Sequence, residues 1–311
     1  MGKRKIYFDS TRSQLYIGVL CILGFEVLSS MRDVVLERKF KSENPYDYLL
    51  VAFGLAALLY FFINLIGKSR KRLSNHNRLN LVWLNVSTAG NWVGLFLALK
   101  YLSPPVISIL FAGGIPVATL VVNRLLRAEG SLNFADLIAT GLLLLCSAIW
   151  AFANVDTLTG GGAANGLFYV TVSSFTIAST TVFSKRLADG GVKTSAVMGH
   201  RFYLLIALSL AMSSPASKIV TLITGGFEVI IFLVAVGTIL SLWLLQKGIE
   251  RCEPVLTEVI VATSPVITLL VYTTLVGYKS VAWSTAILSA AVVVVAISRV
   301  LFQHQQTSRI S

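Results

Sequence analysis

Glu26 is a carboxylate in the middle of an apolar run, Leu23-Gly24-Phe25-Glu26-Val27-Leu28-Ser29, and it is the chain's sharpest chemical feature. Ser29 or Ser30 and then Asp33 follow at helical spacing and make one polar stripe with it. A charge among apolar residues is costly and marks a functional site by default. A carboxyl in a cavity can take up and release a proton as cargo binds and leaves. Its other role is a hydrogen bond within a helix bundle, or a pair with Arg201 that fixes packing. Glu258 lies about one turn into another apolar run, on a face with Ala262, Pro265, Leu269 and Tyr272. It reads equally as a second coupling or substrate group and as a solvated residue at a cavity mouth. Arg201 suits an anionic cargo group, because a guanidinium fork matches carboxylate and phosphate. Snorkelling to the interface is its somewhat favoured alternative. The neighbouring His200 reads as a packing residue ahead of a proton relay.

Amides and aromatics supply further candidates. Asn85, Thr88 and Trp92 share a helical stripe, with Asn91 beside it. An amide in hydrocarbon is expensive unless bonded, so these residues are expected to face a bundle interior, as interhelical bonds or as a cargo site. Trp243 and Gln246 stand at i,i+3; Trp243 could stack on a ring, although a packing or interfacial Trp is commoner. Ser173, Thr176, Thr180 and Ser184 form a hydroxyl stripe of the kind that lets helices approach closely. The substrate-binding candidates are therefore Glu26, Asn85, Asn91, Trp92, Arg201, Trp243, Gln246, Glu258 and Tyr272, with Glu26 as the proton-coupling candidate.

The elements that must position these groups follow from composition. Of 311 residues, 55% are hydrophobic and 13% charged, about half the charge density of a soluble domain, and the mean hydropathy is +0.78. That excludes a soluble enzyme, a disordered chain and a disulfide scaffold. A bilayer core of about 30 Å takes about 20 apolar residues in a helix. Ten such runs are expected: 15–36, 46–67, 79–99, 103–124, 132–153, 166–185, 195–213, 228–249, 254–275 and 281–302. The runs are continuous rather than alternating, which selects helices over a barrel. The expected fold is an all-α polytopic membrane protein. Cys21, Cys146 and Cys252 are too widely spaced for a metal set and read as packing residues. Gly160-Gly161-Gly162 is no phosphate loop, since no GK[ST] follows, and no HExxH or GxSxG occurs. Neither an enzyme activity nor a cofactor or metal is expected.

The net charge of +12 is explained by cytoplasmic loops rather than nucleic acid. With the N-terminus inside, 18 basic residues fall inside and 7 outside, with Arg201 within a helix. Arg32 is counted on the outer side with Arg38, Lys39 and Lys41, and the last three, in the first outer loop, run against the rule. An internal repeat is visible at an offset of 149 residues: Pro105 with Pro254, Val106 with Val255, Pro116 with Pro265 and Val117 with Val266. Five helices per half force the halves into opposite orientation, as in the inverted repeats of many secondary transporters. The expected organisation is a cytoplasmic tail at 1–14, a first repeat at 15–154, an outer linker at 155–165, a second repeat at 166–302 and a tail at 303–311.

Several segments carry a family resemblance. They are Ala98-Leu99-Lys100-Tyr101-Leu102-Ser103, Pro116-Val117, Asn123-Arg124-Leu125-Leu126-Arg127-Ala128-Glu129, Phe183-Ser184-Lys185-Arg186-Leu187, His200-Arg201-Phe202 and Ser264-Pro265-Val266. In order and spacing the chain resembles the drug/metabolite transporter superfamily, in its ten-helix exporter-type (EamA-like) branch. It departs from the pattern at Ala128, where a Gly is usual, and at Tyr278, where the second half lacks the acidic residue. The segment around Glu26 also resembles the first helix of the four-helix small multidrug transporters, where a membrane glutamate binds proton and substrate in turn. The resemblance implies alternating access, with helices one to four and six to nine lining a central cavity and five and ten outside it. The expected function is secondary active transport of a small polar metabolite, as an exporter coupled to protons at Glu26. A nucleotide-sugar or sugar-phosphate exchanger is the alternative within transport; several cavity-facing cations would favour it, and Arg201 alone is expected there. A membrane scaffold or lipid-carrier flippase component is the alternative of another class. Expected partners are the cargo, membrane lipid and, through the tenth helix, a second copy. A bacterial inner membrane is the expected location, with a Golgi or other internal membrane as the alternative.

Overall fold

A backbone buried in hydrocarbon must satisfy its own N–H and C=O groups, and continuous apolar runs do so as helices. The computed structural model describes residues 2–40, 44–66, 75–126, 134–153, 162–216, 233–276 and 294, with the side chains of 2–12, 38–40, 135 and 136 left aside. Among the described residues there are helices and turns and no strand. The elements are α1 (Gly2–Phe40), α2 (Pro45–Ile66), α3 (Asn75–Ala98), α4 (Pro104–Leu125), α5 (Phe134–Ala153), α6 (Ala163–Asp189), α7 (Thr194–His200) and α8 (Tyr203–Met212). A π-helical turn at Ala235–Leu240 leads into α9 (Ser241–Arg251), followed by α10 (Pro254–Val261) and α11 (Ser264–Val276).

Six of these helical stretches are long and apolar enough to cross a membrane: α2, α3, α4, α6, the stretch Thr194–Met212 formed by α7 and α8, and the stretch Pro254–Val276 formed by α10 and α11. Their lipid-type faces are plain, as in α2, where Leu58, Phe62 and Ile66 are exposed while Phe53, Ala56 and Tyr60 are buried. The residues expected as a cytoplasmic tail are helical from Gly2 and run on into the first expected span as α1, a single helix of 39 residues. The expected linker at 155–161, the tenth span apart from residue 294, and the tail at 303–311 lie outside the described residues.

Two spans are broken, each for a local reason. Pro265 has no N–H for the carbonyl of Val261, so the chain tightens before it. Thr263 N donates to Ile260 O at 2.9 Å and Val266 N to Thr263 O at 3.2 Å, both bonds of the tighter i→i+3 type. Pro116 lies inside α4 without interrupting it. The second break, at Arg201-Phe202, separates α7 from α8. It leaves His200 O and Leu204 N without helical partners, and Asn85 on α3 meets both: its Nδ2 donates to His200 O at 2.7 Å and its Oδ1 accepts from Leu204 N at 3.4 Å.

The main seams are α3 with α6, α1 with α9, α4 with α6, α4 with α5, α1 with α11, α2 with α7 and α8, and α4 with α10 and α11. Small residues make the closest seams possible. A Cβ on Gly90 of α3 would lie 2.7 Å from Thr176 Cγ2 of α6. A Cβ on Gly248 of α9 would run into Ile22 and lie 3.1 Å from the carbonyl oxygen of Gly18, both on α1. The hydroxyl stripe on α6 belongs to the first of these seams: Ser173 Oγ donates to Asn91 Oδ1 at 3.0 Å, and Thr180 Oγ1 to Ser87 Oγ at 3.0 Å. Cys252 packs with Ile22 and Leu256, and Cys146 against Leu143 and Val255, as expected of small packing residues.

Candidate functional site

One cavity lies at the centre of these seams, with about 870 Å³ of atom-free space, any open solvent at its mouth included. Its walls come from α1, α3, α4, α6, α9, α10, α11 and the α7–α8 break; α2 and α5 contribute no lining residue. The expected stripe on α1 faces it in full: Glu26, Ser29, Ser30 and Asp33 all line the wall. Glu26 is 3% exposed, and its electrostatic neighbours are Asp33, Glu258 and Arg32. It makes no ion pair with Arg201. Ser30 Oγ and Thr268 Oγ1, 2.8 Å apart, tie α1 to α11 on the same wall.

Glu258 also lines the cavity and is buried, so it is not a solvated mouth residue. Neither of its carboxylate oxygens meets a donor at hydrogen-bonding geometry, although the Thr181 hydroxyl is the polar group beside it. The expected face running from Glu258 to Tyr272 does not hold together. The tight turn at Ala262-Thr263 rephases the helix, and the cavity receives Glu258, Val261, Ser264 and Thr268 instead. The spacing of three across the turn is that of i→i+3 winding. Tyr272 is half-buried and away from the cavity wall.

Arg201 does not snorkel. It is 1% exposed, sits at the break between α7 and α8 and lines the cavity. Its Nη1 donates to Gln246 Oε1 at 3.2 Å and approaches Met198 Sδ at 3.9 Å, while its Nε has no partner. Among the described residues it makes no ion pair. Gln246, fully buried, thus supports Arg201 from behind the wall. Trp243, one turn away, is 39% exposed and off the cavity, because the inward face of α9 is formed by Leu242 and Leu245. Asn85 is likewise off the wall; by holding the α7–α8 break it positions Arg201. His200 lies beside the break and shares a hydrogen bond of 2.6 Å between its Nδ1 and Tyr203 Oη.

Asn91 and Trp92 line the cavity from α3. The Trp92 indole N–H is buried and unpaired. Its ring face carries the residue that the sequence reading misplaced. Arg32, counted there among the outer cations, is 1% exposed and lines the cavity. Its guanidinium carbon is 4.6 Å from the Trp92 ring centroid. Nε and Nη2 each lie 2.8 Å from Asp33 Oδ1, and Nη1 donates to Gly237 O at 3.1 Å. Gly237 belongs to the π-helical turn, a distortion frequent at functional sites. The signal that could have placed Arg32 inward is its register: it follows Ser29 by three residues, a shared-face spacing, on a helix that runs on to Phe40.

The site therefore holds three carboxyl groups and two guanidinium groups in a setting of low polarity. Among the described residues no cluster of His, Cys, Asp and Glu could hold a metal ion. The lining offers hydrogen-bonding and charge recognition without an evident nucleophile–base pair.

No protein-family model and no curated protein matches the chain. Among solved structures, 25 chains are similar. One of them, named only as the crystal structure of a protein, has a TM-score of 0.67 and 18% sequence identity. The similarity covers 95% of this chain and 99% of that one. At this identity the likeness establishes a shared fold, in which an experimentally solved chain follows this one over nearly its whole length.

Proposed function

We propose that the chain is a secondary active transporter of a small polar metabolite, working as an exporter by alternating access and coupled to protons through Glu26. The observation that carries this reading is the cavity: ionisable groups on α1, α10 and the α7–α8 break are buried and face one space inside a bundle of membrane-length helices. Such groups in a membrane interior mark substrate and ion paths.

The finer architecture belongs to the same proposal: ten spans in two inverted five-helix repeats, 15–154 and 166–302, of the drug/metabolite transporter type. The packing pattern supports it. Pair the first span with the sixth, the second with the seventh, the third with the eighth and the fourth with the ninth. Then α3 on α6 exchanges with α9 on α1, and α4 on α6 with α10 and α11 on α1. The seams α2 with α7 and α8, and α4 with α10 and α11, map onto themselves. Prolines also open both repeat-related helices, α4 at Pro104-Pro105 and α10 at Pro254. A bacterial inner membrane is the proposed location.

The testing experiment is uptake of labelled metabolites into proteoliposomes with and without a pH gradient. Gradient-driven flux in the wild type that is lost in Glu26→Gln, with folding intact, is the expected result. Absence of flux for every metabolite class, or coupled flux unchanged by the substitution, would overturn the reading.

A further inference from the structure

The cavity is displaced toward one end of the bundle. Its lining runs from Asn91 to Leu99 on and just past α3, and from Pro104 to Ile115 on α4, so it reaches the end where α3 hands over to α4. At the opposite end three hydrogen bonds join the first half of the chain, α1–α5, to the second, α6–α11. Arg251 Nε, at the end of α9, donates to Gln14 Oε1 of α1 at 2.8 Å. Asn64 Nδ2 of α2 donates to Ser195 O of α7 at 2.8 Å. Arg186 Nη2 of α6 donates to Leu126 O, just past α4, at 2.6 Å. Under the first of these links α1 and the end of α9 touch directly. A Cβ on Gly18 would lie 2.9 Å from Arg251 Cβ and 2.8 Å from Cys252 Sγ, and Cys252 is 2% exposed.

The second-half partners Arg251, Ser195 and Arg186 each follow a residue of one cluster: Glu250, Thr194 and Lys185. Thr194 Oγ1 donates to Glu250 Oε1, and Lys185 Nζ donates to the main-chain oxygen of Glu250 at 3.2 Å. Lys247 Nζ holds the other carboxylate oxygen at 2.9 Å. Glu250 thus ties the ends of α6, α7 and α9 into one block, and the first half is bonded to that block. Lys185, Arg186, Lys247 and Arg251 all lie here, at the end that charge counting places in the cytoplasm. Packed interfaces of this kind switch between discrete arrangements rather than deform continuously.

We infer that this end is one gate, shut in the structure, whose three cross-half links are locked together through Glu250 and break as a unit when the cavity opens on that side. This rests on the transporter reading, and the test separates the two.

The full-length protein in nanodiscs is treated with a polar maleimide. Labelling of Cys252 is followed peptide by peptide by mass spectrometry, with Cys146 on α5 as the reference. Asn64 and Arg186 belong to links other than the one that covers Cys252. The expected result is that Gln14→Ala, Asn64→Ala and Arg186→Ala each speed Cys252 labelling about 3–10-fold and leave Cys146 unchanged. In Glu250→Ala labelling is fast at the outset, and adding Asn64→Ala changes it less than about 2-fold. If Glu250→Ala does not fold, Thr194→Val cuts the α7 tie alone; on that background Asn64→Ala loses its effect and Arg186→Ala keeps it. No change in any variant, or faster labelling in Gln14→Ala alone, which is local fraying of α1, overturns the inference. So does a rise shared by Cys146, or a full effect of Asn64→Ala on the Glu250→Ala background. Flux in proteoliposomes is measured in parallel. Coupled labelling without flux of any metabolite class supports the gate and removes the transport reading; flux with uncoupled labelling does the reverse.

Discussion

Replacing Arg32 with Met keeps most of its apolar volume and removes its guanidinium. Three interactions go at once: the contacts to Asp33 at 2.8 Å, the bond to Gly237 O at 3.1 Å and the stacking on Trp92 at 4.6 Å. Breaking a buried pair from one side costs about 3–5 kcal/mol, mostly because the other charge stays buried. The Asp33 side chain keeps 18% of its exposure, so part of its charge is still solvated and the lower end of the range applies. The stacking adds about 1–2 kcal/mol for a desolvated cation. Arg32→Met is expected to destabilise the bundle by about 4–5 kcal/mol. Because most of that loss is the stranded Asp33, the double variant Arg32→Met, Asp33→Asn is expected to recover about 2 kcal/mol. Steric-trapping or detergent unfolding of the wild type, both single variants and the double variant completes the cycle. If Arg32→Met stays within about 1 kcal/mol of the wild type, the Arg32 guanidinium is not what holds α1 against α3 and the π-helical turn, and if the double variant recovers nothing, the stranded Asp33 is not the main loss.

Other expectations follow from single contacts. Gly248→Ala places a methyl group against Ile22 and the Gly18 carbonyl, and unfolding should show a loss of about 1–3 kcal/mol. Gly54→Ala, with nothing within 4 Å of the added atom, should instead gain about 0.5–1 kcal/mol through helix propensity, and a loss there would contradict the open position. Asn85→Leu strands His200 O and Leu204 N, and about 1–3 kcal/mol should be lost on unfolding. Glu26→Gln should make proteoliposome flux independent of an imposed pH gradient, and persistent dependence would move the coupling role to another group.

The distribution of apolar residues determined the class of the protein without help from tertiary structure. Too few charges over too many residues leave only a lipid-facing bundle of helices, and the stripe Glu26, Ser29, Ser30 and Asp33 faces its interior because period alone fixes which residues share a helix face. Periodicity does not say how a face is rotated against its neighbours. Trp243 and Gln246 belong to one apolar run, yet packing on α1 leaves the first exposed and buries the second. Nor does it survive a change of winding, so the tight turn before Pro265 removed Tyr272 from the face of Glu258. Charge counting misplaced Arg32, because the rule for loops sees a cation near a helix end and cannot see an aromatic ring on α3, a freed carbonyl on the π-helical turn and a neighbouring carboxylate converging to hold it. Those partners are 60 to 205 residues away except for Asp33, and only the folded chain brings them within reach.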